Sequence, residues 1–164
     1  MTGSINVSSE VGNLKKVMVH PPGPEILAVT PSNRETYLYN DILDLDRAAD
    51  EHKQFSDILS VFSHVVDVKT LFIESLQTEA GRQFLLERYH QITNDKTFAR
   101  DMNNADEKDL ATRFIQGWKR PSGKFSQKLN QQYYVLPPIP NLFFTRDACF
   151  AIDKTISISS MRYA

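Results

Sequence analysis

Residues 14–20 alternate, with Val17 and Val19 on one face and Met18 on the other, which predicts a short strand stopped by Pro21-Pro22-Gly23. Ser32 and Glu35 have the spacing of a capping box and predict a helix start. From Asp41 onward, Ile42, Leu45, Ala49, His52, Phe55, Ile58, Leu59 and Phe62 recur at helical spacing, while Asp44, Asp46, Asp50 and Lys53 occupy other faces. This predicts an amphipathic helix laid against a partner surface, with His52 on its inward side. Val65, Val66 and Val68 then predict a second strand, so that two β segments flank a helix as in an α/β crossover unit. From Glu74 to about Lys128 the pattern changes to long polar helices carrying Leu76, Phe84, Leu85, Tyr89, Ile92, Phe98, Met102, Leu110, Phe114, Ile115 and Trp118. Asn103-Asn104 interrupts this segment and Pro121-Ser122-Gly123 lies near its end. Beyond it, Ala148, Phe150 and Ile152 alternate with Cys149 and Ala151, Asp153-Lys154 breaks the run, and Ile156 and Ile158 alternate with serines, which predicts a hairpin. The expected class is α/β, in three parts: an α/β unit over 1–73, a helical insert over 74–128, and a loop with a hairpin over 129–164.

Composition narrows the function classes more than it defines one. With 164 residues, 41% hydrophobic and 24% charged, the chain is long enough for a real core. A formal net charge of −1 gives no electrostatic reason to expect nucleic acid or an anionic membrane surface. No apolar run approaches the roughly 20 residues that span a bilayer, and the N-terminus lacks a basic segment followed by an apolar one. The single cysteine, Cys149, excludes an internal disulfide framework, and a cytoplasmic protein is the expectation. The four histidines, His20, His52, His64 and His90, have no metal-ligand spacing, and the glycines are scattered singly rather than gathered in a phosphate loop. Neither a metal nor a cofactor is expected.

The richest chemistry lies in Pro137-Pro138-Ile139-Pro140-Asn141-Leu142-Phe143-Phe144-Thr145-Arg146-Asp147. Three prolines stiffen the approach to an amide, two aromatic rings, a cation and a carboxylate. A carboxylate beside a ring suits a planar cation such as guanidinium, hydrogen-bonded at its edge and stacked on its face. The same residues also read as a loop entering a buried strand, with Phe143 and Phe144 in the core and Arg146 paired to Asp147.

The segment PNLFFTRD, followed by strand residues and Met161-Arg162-Tyr163, resembles the signature P-N-x-x-F-T-R-D of arginine deiminases, guanidino-group-modifying enzymes of the pentein fold. Ser9-Glu10-Val11-Gly12-Asn13-Leu14-Lys15-Lys16-Val17-Met18-Val19-His20-Pro21-Pro22-Gly23 is similar to that family's opening strand and turn, with one proline shifted. Thr30-Pro31, then Tyr37-Leu38-Tyr39-Asn40-Asp41-Ile42, then Glu51-His52 follow in the family's order.

The resemblance implies a fold of ββαβ units around a pseudo-fivefold axis, of which this chain would hold the first unit, a helical insertion and the start of the next unit, stopping before most of the propeller. Sheet edges left open in this way invite self-association into a homo-oligomer. It also implies hydrolysis of L-arginine to L-citrulline and ammonia through a covalent cysteine adduct. By position in the motif, Asp147 matches a carboxylate that holds the guanidinium, Asn141 a residue holding the α-amino acid end, and Phe144 a ring packed on the substrate; Leu38 matches a leucine lining the pocket. The family's cysteine, histidine, second carboxylate and glutamate match nothing in this chain, which alone would be inactive. Cys149 is read as a core thiol rather than the nucleophile, because it lies in a predicted strand with no histidine near it in sequence. A pentein-like protein that only binds a ligand or partner is the alternative, and an amidinotransferase is disfavoured by the helical insertion.

Overall fold

The structure, a computed structural model, describes residues 5–92, 105–119 and 134–159. Strand β1 (Lys16–Val19) pairs in parallel with β2 (His64–Asp67), in the register Lys16↔His64 through Val19↔Asp67. Parallel neighbours need a crossover, and helix α1 (Leu45–Phe62) supplies it. The predicted βαβ arrangement is therefore present, with two changes at its edges. The helix starts at Leu45 rather than near Asp41, because Asp44 is the cap, its carboxylate accepting the Arg47 amide at 2.8 Å, while Asp41 closes a local turn on the Ile42 amide. Val68 is the first residue of helix α2 (Val68–Leu76) and not a strand residue, since the Asp67 carboxylate ends β2 and caps the helix through the Thr70 amide at 2.9 Å.

No helix starts at Ser32. A short 3₁₀ helix occupies Pro24–Ala28, and residues 31–38 are successive turns. Asn33 instead reaches back along the chain: its Oδ1 accepts the Thr30 amide at 2.7 Å and its Nδ2 donates to the Ala28 carbonyl at 3.0 Å. The turns end at Leu38, which sits in the left-handed region at φ 63 and cannot continue a right-handed helix.

Helices α3 (Glu79–Ile92) and α4 (Glu107–Gln116) pack with α2 around Leu76, Leu85, Tyr89, Leu110, Ala111 and Phe114, where Tyr89, Leu110 and Ala111 are completely buried. Phe114 meets Phe72 and Tyr89 edge-on, with ring centroids 6.3 and 6.4 Å apart. The helical run thus begins at Val68, ahead of the Glu74 where the sequence pattern changes. Trp118, expected in a helix, lies in strand β3 (Trp118–Lys119), antiparallel to β4 (Tyr134–Leu136), with the Arg113 guanidinium 4.2 Å over its ring. Gly117 makes the turn between α4 and β3 at φ 82, and a Cβ there would come within 2.8 Å of the Pro138 backbone nitrogen. Asn103-Asn104, Pro121-Ser122-Gly123, Phe98 and Met102 fall outside the described residues.

A four-residue helix α5 (Thr145–Ala148) leads into β5 (Cys149–Ile152), which pairs antiparallel with β6 (Thr155–Ile158) across Asp153-Lys154 as the alternation predicts. Ala148 belongs to α5 rather than to the strand. Val7 bridges Asp153 through two 2.8 Å backbone hydrogen bonds. Among the described residues the strands form three two-stranded sheets, giving a mixed α/β chain. No described helix is long and apolar enough to cross a membrane.

Candidate functional site

The proline-rich approach is anchored at both ends. The Ile139 amide donates to the Ile115 carbonyl at 2.9 Å, tying the approach to the end of α4 where Gly117 lets it pass. Pro140 and Asn141 are then joined to a segment a hundred residues earlier. The buried Tyr39 hydroxyl donates to the Pro140 carbonyl at 2.8 Å, and Asn141 Nδ2 donates to the Tyr37 carbonyl at 2.9 Å. Leu38 lies between those two tyrosines. Three overlapping turns carry the chain forward, with Leu142, Phe144 and Asp147 amides donating to Ile139, Asn141 and Phe144 carbonyls at 3.2, 3.0 and 3.0 Å. At the far end, Thr145 Oγ1 donates to the Met18 carbonyl of β1 at 3.2 Å.

The predicted site residues therefore fall into two linked groups. Leu38 and Asn141 are brought together by the tyrosine hydrogen bonds, with Leu38 69% exposed and Asn141 half-buried. Phe144 and Asp147 share the turn that opens α5. Phe143 is half-buried and Phe144 49% exposed, with centroids 4.0 Å apart and planes tilted by 38°, so neither ring sits deep in the core. The alternative pairing of Arg146 with Asp147 does not form: Arg146 Nη2 reaches Glu10 Oε1 at 3.2 Å across exposed surface, where solvent leaves such a pair little strength. The exposed Asp147 carboxylate has no side-chain partner among the described residues.

Asn141 has one polar side-chain atom without a partner among the described residues. With Nδ2 committed to a carbonyl, which only accepts, the orientation of the amide is fixed and Oδ1 is left as an acceptor. That oxygen suits an ammonium donor; the Asp147 carboxylate suits a guanidinium; the open face of Phe144 suits either cation.

Behind this surface lies a buried ionisable cluster that the sequence reading did not single out. His20, following β1, and Glu25, in the 3₁₀ helix, are 3% and 2% exposed, with Nε2 3.3 Å from Oε1. The same Glu25 oxygen accepts the Gly23 amide at 2.7 Å, and a Cβ at Gly23 would lie 2.7 Å from the other carboxylate oxygen, so a larger residue there would displace the Glu25 side chain. Burial, reinforced by the Glu25 charge, pushes the Tyr39 phenol up to about 12. It stays protonated and remains a donor to Pro140. His52 is half-buried in α1 with Nδ1 3.3 Å from Ser56 Oγ; burial first, and the His20 charge second, hold its pKa below the ordinary histidine value. This matches the hydrogen-bonded inward histidine expected. Cys149 is half-buried, less enclosed than the core thiol expected. The signal for Glu25 was present in His20-Pro21-Pro22-Gly23-Pro24-Glu25, where three prolines and a glycine force a tight return next to a carboxylate.

Next to the site, an open cleft of about 360 Å³ is lined only by apolar side chains, including Met18, Phe72, Phe114, Ile139 and Leu142. It shares its wall with the proline approach but carries no polar or charged side chain.

A mixed α/β chain thus presents, on adjoining turns, a carboxylate without a side-chain partner among the described residues, a half-exposed aromatic ring and an amide oxygen, groups whose chemistry suits a cation. The arginine deiminase family model matches residues 35–164, and the chain belongs to that family. It is 34% identical over 177 aligned positions to the arginine deiminase of Treponema denticola, covering 96% of this chain and 42% of that protein. Identity is 33% over 172 positions with the arginine deiminase of Borrelia duttonii, at 96% and 42% coverage, and 28% over 178 positions with that of Listeria monocytogenes serotype 4b, at 98% and 42%. The chain thus spans 42% of the length of these relatives.

Proposed function

We propose that this chain is the N-terminal part of an arginine deiminase, which hydrolyses L-arginine to L-citrulline and ammonia, and that it supplies one carboxylate and part of the pocket. In that reaction a cysteine thiolate forms a bond to the guanidinium carbon, a protonated terminal nitrogen departs as ammonia, and water adds to the adduct and displaces the thiolate to leave the ureido group of citrulline. The cysteine, its histidine and the second carboxylate belong to sequence outside this chain. Asp147 accepts two guanidinium N–H groups, Phe144 covers the guanidinium or its alkyl stem, Asn141 Oδ1 accepts from the α-ammonium, and Leu38 walls the pocket.

The observation that carries this reading is the Asp147 carboxylate, exposed and without a side-chain partner among the described residues, at the end of a loop whose FTRD motif lies inside the family match. The loop is tied down at both ends, which holds that carboxylate in place for a ligand. The parent would have the pentein-type α/β propeller of ββαβ units, with residues 1–73 as the first unit, 74–128 as the helical insertion and 129–164 carrying the motif. The exposed Phe150, Ile152, Ile156 and Ile158 of the hairpin are consistent with a partner layer in that propeller or in a homo-oligomer. The test is arginine turnover. Citrulline is expected from the full-length protein and none from the 164-residue chain, and citrulline formed by the chain alone would contradict the division of roles.

A further inference from the structure

The Tyr39 phenol occupies an unusual place: it is 8% exposed, lies within reach of the buried Glu25 charge, and spends its hydroxyl on one backbone carbonyl, that of Pro140. The residue after Pro140 is Asn141, and the residue before Tyr39 is Leu38. Leu38 holds a left-handed backbone that costs a Cβ-bearing residue energy, and such strain persists only where the surroundings over-determine it. The surroundings here are specific. The Leu38 amide donates to the Glu35 carbonyl at 3.1 Å, the Tyr39 amide to the Arg34 carbonyl at 2.9 Å, and Arg34 Nη1 to the Asn40 carbonyl at 2.8 Å. With the Asn141–Tyr37 bond, the Tyr39–Pro140 bond closes a two-point clamp between the Leu38 turn and the Asn141 turn. A single hydrogen bond would let the two turns pivot about it, whereas two bonds from adjoining residues fix their relative orientation.

We propose that Tyr39 is a positioning residue whose hydroxyl locks the Leu38 and Asn141 turns into one rigid unit that holds the amino-acid end of the substrate. The proposal rests on the reading given above for what the unit holds. The locking itself is a property of this chain alone, so the two parts fail separately.

Tyr39→Phe removes one hydroxyl and keeps the ring in its seat. Measured by NMR on the 164-residue chain, the Asn141 side-chain amide protons are expected to exchange about tenfold faster in Tyr39→Phe than in the wild type, the size of one lost buried hydrogen bond. Tyr89→Phe is the matched control, because the buried Tyr89 hydroxyl has no hydrogen-bond partner among the described residues, and Asn141 exchange should stay at the wild-type rate. In the full-length protein Tyr39→Phe should raise KM for arginine by about tenfold and change kcat by less than about twofold, as expected when ground-state and transition-state binding are lost together. A purely structural role would lower the melting temperature and leave that KM to kcat split unmoved. Unchanged Asn141 exchange in Tyr39→Phe overturns the locking. Faster exchange with KM unmoved overturns the substrate-holding role. Absence of arginine turnover in the wild-type full-length protein sinks the arginine reading, while the amide measurement still decides the locking.

Discussion

Replacing Leu38 by glycine and, separately, by alanine isolates the cost of its backbone. Both changes remove the isopropyl end of a side chain that is 69% exposed and contributes little burial, and the two variants differ only in the Cβ that alanine keeps. At φ 63 that Cβ crowds the following carbonyl at a cost of roughly 1–2 kcal/mol. Against this, glycine leaves the unfolded chain more freedom, which costs the variant about 0.4–1 kcal/mol. The balance favours Leu38→Gly over Leu38→Ala by about 1 kcal/mol. With a urea slope of about 2 kcal/mol/M, the unfolding midpoints should differ by about 0.5 M, glycine higher. The order should reverse at Ile58, inside α1, where glycine is expected to fall about 1 kcal/mol below alanine. A midpoint for Leu38→Ala equal to or above that of Leu38→Gly would refute the left-handed assignment and the strain argument with it. In the full-length protein both Leu38 variants should lose arginine affinity to the same extent, which separates the wall supplied by the side chain from the turn supplied by the backbone.

Other outcomes follow from the same structure. Asp147→Ala in the full-length protein should reduce kcat/KM for arginine about 10- to 150-fold, the rate equivalent of a charge-assisted hydrogen bond of roughly 1.5–3 kcal/mol, and should leave the melting temperature of the chain unchanged because the carboxylate has no side-chain partner among the described residues; steady-state kinetics and calorimetry check both. Leu110→Ala, at a completely buried position between α2 and α4, should cost about 2–5 kcal/mol in chemical denaturation. Because the His52 pKa is lower folded than unfolded, the unfolded chain takes up a proton first on acidification. His52 therefore withdraws stability as pH falls from about 6.5 through its depressed value, and His52→Gln should flatten the pH dependence of the melting temperature across that window.

What the sequence made legible followed local rules. Strand β1, its Pro-Pro-Gly stop, the crossover to β2 and the β5–β6 hairpin are all marked by period-two alternation and strong breakers, and each is present. Errors arose where two residues competed for one role. Asp41 and Asp44 both have capping chemistry, and only the carboxylate three residues before Arg47 closes the helix. Ser32 and Glu35 have capping-box spacing, yet Asn33 captures the Thr30 amide and Leu38 turns left-handed. Trp118 read as helical because its strand partner Leu136 is distant in sequence, and no local period reports such a pairing. The candidate site divides in the same way. The motif singled out Asn141, Phe144 and Asp147, but the tether from Asn141 to the Tyr37 carbonyl spans 104 residues and the one from Tyr39 to Pro140 spans 101, and such contacts exist only in three dimensions. The buried His20–Glu25 pair was missed because two polar residues in a turn ordinarily face water.

The most direct measurement is citrulline formation from L-arginine by the full-length protein carrying this chain, with an Asp147→Ala variant assayed beside it. Stoichiometric citrulline and ammonia from the wild type, with turnover cut at least about tenfold in the variant, is the expected result. Wild-type protein that leaves arginine intact, or a variant that turns it over at the normal rate, would contradict the assignment of Asp147 as the carboxylate that holds the guanidinium.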